Sequence, residues 1–262
     1  MKRTKITVDP TAFPQVLLPY FTGATVYDSS CSREARVRYL EKDGGYYLKS
    51  ADRGALEQEA ALTRFFHTKG LAAEVVAYVS DETHDYLLTT RVEGEDCTHA
   101  VYLSDPARLC DLLATRLRAL HELSADGCPV PDRMEGYFRT AKEHYARGEY
   151  DLSYLPPRLA GLSADEAYRV LEEGSTALHS DTLLHGDYCL PNVMLDDWRF
   201  SGFVDVGNGG VGDRHVDLFW GAWTLNFNLG TDKYRERFFD AYGRDRIDPD
   251  LLDVIGAAEV FG

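Results

Sequence analysis

The chain is 262 residues long, 44% hydrophobic and 27% charged, the balance of a folded globular protein and not of a disordered one. Its 28 Lys and Arg against 43 Asp and Glu leave a formal charge of −15, which argues against nucleic acid as a partner and favours a cationic one. Residues 1–19 lack the apolar core of a secretory signal, the uncharged stretch 218–231 is too short and polar to span a bilayer, and the five cysteines form no CxxC pair; the expectation is a soluble cytoplasmic protein with reduced thiols and no membrane partner.

Taken in chain order, the first ninety residues read as strands broken by one helix. Short β-favouring runs occupy Ala24 to Tyr27, Arg36 to Leu40 and Tyr46 to Ser50, with Asp43-Gly44-Gly45 as a hairpin turn. Apolar residues near helical spacing predict a helix over Ala55 to Thr68, stopped by Gly70. Two more strands, Glu74 to Ser80 and Tyr86 to Val92, flank a turn at residues 81–85. After Gly94 the pattern turns helical. Asp105 caps Pro106 to Leu123, and Ser163 with Glu166 forms a capping box for Ala164 to His179. An irregular loop with Gly148, Pro156, Pro157 and Gly161 lies between them. Strands near Val193 to Leu195 and Phe200 to Val206 precede a helical C-terminal third. The architecture expected is α+β: a small antiparallel N-terminal lobe with one helix, residues 1–92, and a larger, mainly helical lobe, residues 93–262.

The segment His185-Gly186-Asp187, four residues, then Asn192, followed by Phe203-Val204-Asp205-Val206-Gly207, carries the chemistry. Phosphoryl transfer needs a carboxylate to orient the attacking hydroxyl and oxygen ligands for the Mg²⁺ that bridges the phosphates, and a kinase catalytic loop supplies these parts in this order. Asp187 is then the catalytic carboxylate, with Asn192 and Asp205 as ligands of a hard ion. That reading requires a strand lysine to pair with phosphates, which Lys49 fits, and a helical Glu to orient it, for which Glu57 and Glu59 are available. Ser29-Ser30-Cys31-Ser32 is a turn able to offer backbone N–H groups to phosphate, although neither a G-x-G-x-x-G nor a Walker A is present. Asp213 and Asp217 read as structural, Asp213 as an N-cap.

These motifs resemble those of the aminoglycoside 3′-phosphotransferases within the aminoglycoside phosphotransferase family. The resemblance extends over nearly the whole chain and includes Gly212 with Asp217-Leu218, the run 238–243 and the terminal Glu259-Val260-Phe261. It implies a bilobal protein-kinase-like fold that uses ATP or GTP with Mg²⁺ to phosphorylate the 3′-hydroxyl of an aminoglycoside, giving resistance. It also implies nucleotide contacts from Ser30, Cys31, Ser32, Tyr47 (against adenine), Lys49 oriented by Glu59, and the backbone of Thr90 and Val92. Asp187, Glu259 and Phe261 would bind the cationic acceptor. Ala258 stands where the family commonly has Asp, Leu190 and Asn208 where close relatives carry Asp and Arg, and Gly262 extends the terminus by one residue.

Other readings share some of these parts. A kinase of choline, homoserine, an amino-sugar or a macrolide would use the same fold, but Glu259 and the negative charge favour a polycationic acceptor. A non-catalytic nucleotide-binding pseudokinase would not need the full catalytic set. An iron site of His185, Asp187 and His215 fits the ligand types but not the helical surroundings.

Overall fold

The computed structural model describes residues 3–31 and 35–262. Period-two alternation in the N-terminal part builds a six-stranded antiparallel sheet from β1 (Thr4–Ile6), β2 (Thr25–Asp28), β3 (Arg36–Glu41), β4 (Tyr46–Asp52), β5 (Val75–Ser80) and β6 (His84–Thr90), in the order β1-β2-β3-β4-β6-β5. One face buries Val26, Leu40, Leu48 and Leu88 against Leu17 and Phe21. The other packs Ala51 and Leu87 on Leu56, just before the Glu57–Thr68 helix, and on Ala60 within it. Each fully buried leucine here contributes about 1.5–3 kcal/mol.

The strand expected over residues 86–92 begins at His84, because Asp85 belongs to the sheet and not to the turn. Asp85 is fully buried, and one of its oxygens accepts from the N–H groups of Gly54 and Leu56 at 2.9 and 3.0 Å. The Tyr78 and Ser80 hydroxyls donate to the same carboxylate. A side chain from β6 thus caps the start of the Glu57–Thr68 helix, whose own N-cap position, Leu56, has no side-chain acceptor. Helix and sheet are locked in register by that buried acid.

The chain clusters into two units that are discontinuous in sequence: Met1–His99 with Pro191–Asn208, and Ala100–Leu190 with Gly209–Gly262. Residues 191–208 pack with the first unit because Val193–Asp196 pairs with both Glu95–Asp96 and Arg199–Phe203 in a three-stranded antiparallel sheet. Phe203 stacks edge-on against Phe66, and its N–H donates to Leu71 O at 2.7 Å. At Gly94, φ is +86° and a Cβ would sit 2.0 Å from Leu195 O, so only glycine fits this approach. The strand expected to reach Val206 ends at Phe203, and Asp205 adopts φ +57°.

The second unit is built from the helices Ala100–Leu103, Pro106–His121, Arg133–Arg147, Ala164–Gly174, His215–Leu229, Arg235–Tyr242 and Pro249–Glu259, with a strand pair Thr182–Leu184 and Gly210–Gly212. The Ser163–Glu166 capping box forms, but its helix ends at Gly174 and gives way to a 3₁₀ turn over Ser175–Ala177. The Arg133–Arg147 helix stands where the sequence suggested only loop. It buries just Met134 and Ala141 completely, too sparse an apolar stripe to announce a helix. Among the described residues no helix is long and apolar enough to cross a membrane.

Candidate active site

A cavity of about 680 Å³ opens within the first unit, in the range of small-molecule sites. Successive inward-facing positions of one strand, Tyr47, Lys49 and Ala51, line it together with Leu87 and Thr89 of the neighbouring strand, as strand alternation requires. Asn192 and Asp205 line it as well.

Lys49 Nζ donates to Glu59 Oε2 at 2.7 Å and to Asp205 Oδ1 at 2.8 Å. Burial by itself would depress the ammonium, but the two carboxylates more than offset it and hold Lys49 above its ordinary pKa. Burial also raises the Glu59 carboxyl, with Lys49 opposing. Of the two glutamates available on the helix, Glu59 is the one that reaches the lysine. Gly207 lets the Asp205 segment lie close to that helix, since a Cβ there would be 3.1 Å from Glu59 Cβ, and Gln58 Nε2 donates to Gly207 O at 2.8 Å. Val204 N–H donates to Asn192 O at 3.0 Å, which sets the Asn192 and Asp205 backbones side by side.

At the other residues expected to contact nucleotide, the backbone is partly committed. Ser30 N–H donates to Asp28 Oδ1 at 2.9 Å and Ser30 Oγ accepts from Val37 N–H at 3.0 Å, so this part of the turn does not present a free amide. Cys31 is exposed and lines the cavity. Ser32 lies outside the described residues. Thr90 N–H donates to Glu74 O at 3.0 Å, so its carbonyl is the group it can offer to a base edge. Val92 lines the cavity. Tyr47 does too, its hydroxyl accepting from Arg3 at 2.6 Å.

The second unit carries Asp187 on a loop fixed at several points. Asp217, fully buried, accepts from His185 N–H and Gly186 N–H, both at 2.8 Å, one on each oxygen. Its Oδ2 also pairs with His121 Nε2 at 3.1 Å, and His121 Nδ1 meets the Tyr242 hydroxyl at 2.8 Å. This network sets the tautomer: Nε2–H donates to the carboxylate and Nδ1 accepts from tyrosine. Further along the loop, Leu190 N–H donates to Thr224 Oγ1 at 3.1 Å and the Tyr188 hydroxyl to Leu113 O at 2.9 Å. Asp217 thus acts in the structural role the sequence suggests, its signal one carboxylate within an otherwise apolar helix, while nothing in the sequence marks His121. Asp213, expected as the N-cap, stands one residue before the observed cap, Arg214, and accepts from His215 N–H at 2.9 Å and from His215 Nδ1 at 2.6 Å.

Glu259 ends the Pro249–Glu259 helix and is buried. Its Oε1 accepts from the Tyr137 hydroxyl at 2.7 Å and from Trp220 Nε1 at 3.0 Å. Burial pushes its carboxyl up to about 7, with Tyr137, Arg133 and Trp220 opposing only in part. The Phe261 ring sits in the core against Tyr145 and Tyr168, and its carbonyl oxygen is 2.7 Å from His144 Nδ1. Its side chain anchors the C-terminus and does not face outward.

A model of the family described as phosphotransferase enzyme family matches residues 31–253. A probable aminoglycoside 3'-phosphotransferase of Lactococcus lactis subsp. lactis (strain IL1403) is 47% identical over 262 residues, covering 100% of the chain and 99% of the relative. The crystal structure of an aminoglycoside-3'-phosphotransferase of type VIII matches with a TM-score of 0.77 at 25% identity, covering 96% of each chain. An aminoglycoside phosphotransferase from Streptomyces rimosus ATCC10970, solved in complex with ADP and streptomycin, matches with a TM-score of 0.75 at 24% identity over 97% of this chain and 99% of that one.

Proposed function

Since the chain belongs to the phosphotransferase enzyme family, we propose that it is an aminoglycoside O-phosphotransferase that moves the γ-phosphate of ATP or GTP to the 3′-hydroxyl of the antibiotic and so confers resistance. The observation that carries the nucleotide half is the half-buried Lys49–Glu59 pair, joined by Asp205, inside one cavity of nucleotide size. The acceptor half rests on the Lactococcus relative, similar from end to end.

In this reading the base lies at the Tyr47, Thr90 and Val92 end of the cavity and the phosphates at the Lys49 end. Glu59 holds the ammonium so that it meets phosphate oxygens without searching rotamers. Asn192 and Asp205 suit Mg²⁺, since both offer oxygen ligands and both line the cavity. A hard ion that keeps several waters and phosphate oxygens needs no more from the protein. When bound, Mg²⁺ supplies charge neutralisation across the phosphates. Asp187 orients the acceptor hydroxyl and takes its proton late, as the new O–P bond forms and the bond to the β-phosphate breaks.

Replacing Lys49 by Ala is expected to raise the nucleotide KM by about tenfold, the loss of one charged hydrogen-bonding group. Steady-state kinetics with unaltered nucleotide KM and kcat would remove the lysine from phosphate binding. The reading as a whole is tested by Mg²⁺-dependent ADP release with kanamycin beside its 3′-deoxy analogue. Turnover with the first and none with the second is expected. Equal turnover with both overturns the 3′ assignment, and absence of any aminoglycoside-dependent release overturns the acceptor class.

A further inference from the structure

The most exposed large apolar side chain among the described residues is Phe227, 70% exposed. It belongs to a row. Trp220, Trp223 and Phe227 recur at i, i+3 and i+7 on the His215–Leu229 helix and therefore share one face. Trp223 stacks on Phe227 with centroids 4.9 Å apart and planes 11° from parallel. Trp220 meets Trp223 edge-on at 5.4 Å, and Tyr154 lies 5.7 Å from both indoles. Such a contiguous aromatic surface, left partly open, marks a contact site more often than spare core.

At one end the row meets charge. Trp220 Nε1 donates to Glu259 Oε1, which also takes the Tyr137 hydroxyl, while Glu259 itself is buried with Oε2 against Gly262. Leu190, three residues after Asp187, donates its N–H to Thr224 Oγ1 at 3.1 Å, and Thr224 follows Trp223 on the helix, so the loop that carries Asp187 and the row share one neighbourhood. Ala258 and Leu190, by contrast, are fully buried and bring no charge to it.

We propose that the acceptor is gripped by this aromatic face, a sugar ring lying on Trp223 and Tyr154. The proposal rests on the phosphotransferase reading above and specifies its substrate: an amino sugar with an open C–H face, held more by stacking than by a ring of carboxylates. Aromatic faces attract both C–H surfaces and cations, and Trp does so best.

The row contains two of the three tryptophans of the chain, so acceptor binding can be read directly. Titrating wild-type protein with kanamycin is expected to change tryptophan fluorescence, and the change should persist in W198F. Steady-state kinetics then compare Trp223→Leu and Phe227→Ser with wild type. Each should raise the acceptor KM by about tenfold with nucleotide KM within about twofold, and Trp223→Phe should recover most of the loss. Phe227 is so exposed that its replacement leaves the fold standing, which keeps the test clear of stability effects. Acceptor KM unchanged in both variants, in enzymes that still phosphorylate aminoglycoside, overturns the aromatic grip and leaves the phosphotransferase reading intact. Wild-type protein that phosphorylates no aminoglycoside overturns both.

Discussion

Asp187→Ala is expected to lower kcat by about 10²–10⁴-fold, the usual cost of losing a positioned proton acceptor. The nucleotide KM should stay within about threefold of wild type, because only an interaction made in the transition state is lost. The structure supports that separation. The cavity assigned to nucleotide is lined wholly by residues of the first unit, whereas Asp187 belongs to the second. Its loop is held by backbone bonds to Asp217 and Thr224, which truncation of the Asp187 side chain leaves in place. Steady-state kinetics and nucleotide calorimetry on one preparation decide it: a variant retaining more than about a tenth of wild-type kcat removes Asp187 from proton transfer. Weakened nucleotide binding with kcat preserved would place it on the phosphates instead.

How much could be read beforehand follows from where each signal resides. Lys49 and Glu59 were legible because a lysine ending a β-run and a glutamate in the following helix are local patterns, and the observed 2.7 Å contact joins the two. The capping box at Ser163 was legible for the same reason. The Arg133–Arg147 helix was not: its stripe is thin, and Gly136 interrupts the propensity. Asp85 was misplaced in a turn because an acid beside Thr83 and His84 looks like loop. Its role as a buried cap depends on Gly54 and Leu56, remote in sequence. The discontinuous first unit was invisible for a related reason, since the pairing of Glu95–Asp96 with Val193–Asp196 leaves no trace in either segment alone. The positive φ at Asp205 ended a strand that the apolar run would have continued. Where an aspartate tolerates such a backbone, sequence periodicity says nothing.

The largest effect on stability is expected at Asp217. Its carboxylate is fully buried and accepts the two backbone N–H groups of His185 and Gly186 together with His121 Nε2. Burial works to raise its pKa, but these donors more than offset it and the pKa lies below the ordinary carboxylate value. Asp217→Ala strands two buried N–H groups and a histidine, so unfolding free energy should fall by about 3–5 kcal/mol. A folded-state pKa below the unfolded one means that this contribution is complete above the ordinary carboxylate range and is lost as pH falls through the folded value. The gap between wild type and variant, measured by urea unfolding, should therefore be widest near neutrality and narrow in acid. Catalysis should suffer as well, since the loop that carries Asp187 loses two of its anchors, and a shift of about 1 Å is worth on the order of 10²-fold in kcat. His121→Ala should give a smaller loss of the same kind, because the carboxylate keeps both backbone donors while losing the imidazole between it and Tyr242. An Asp217→Ala protein with wild-type urea midpoint and kcat would show that the loop stands without this carboxylate. A protein destabilised equally at every pH would show that lost packing, and not a charged acceptor, is what the substitution removed.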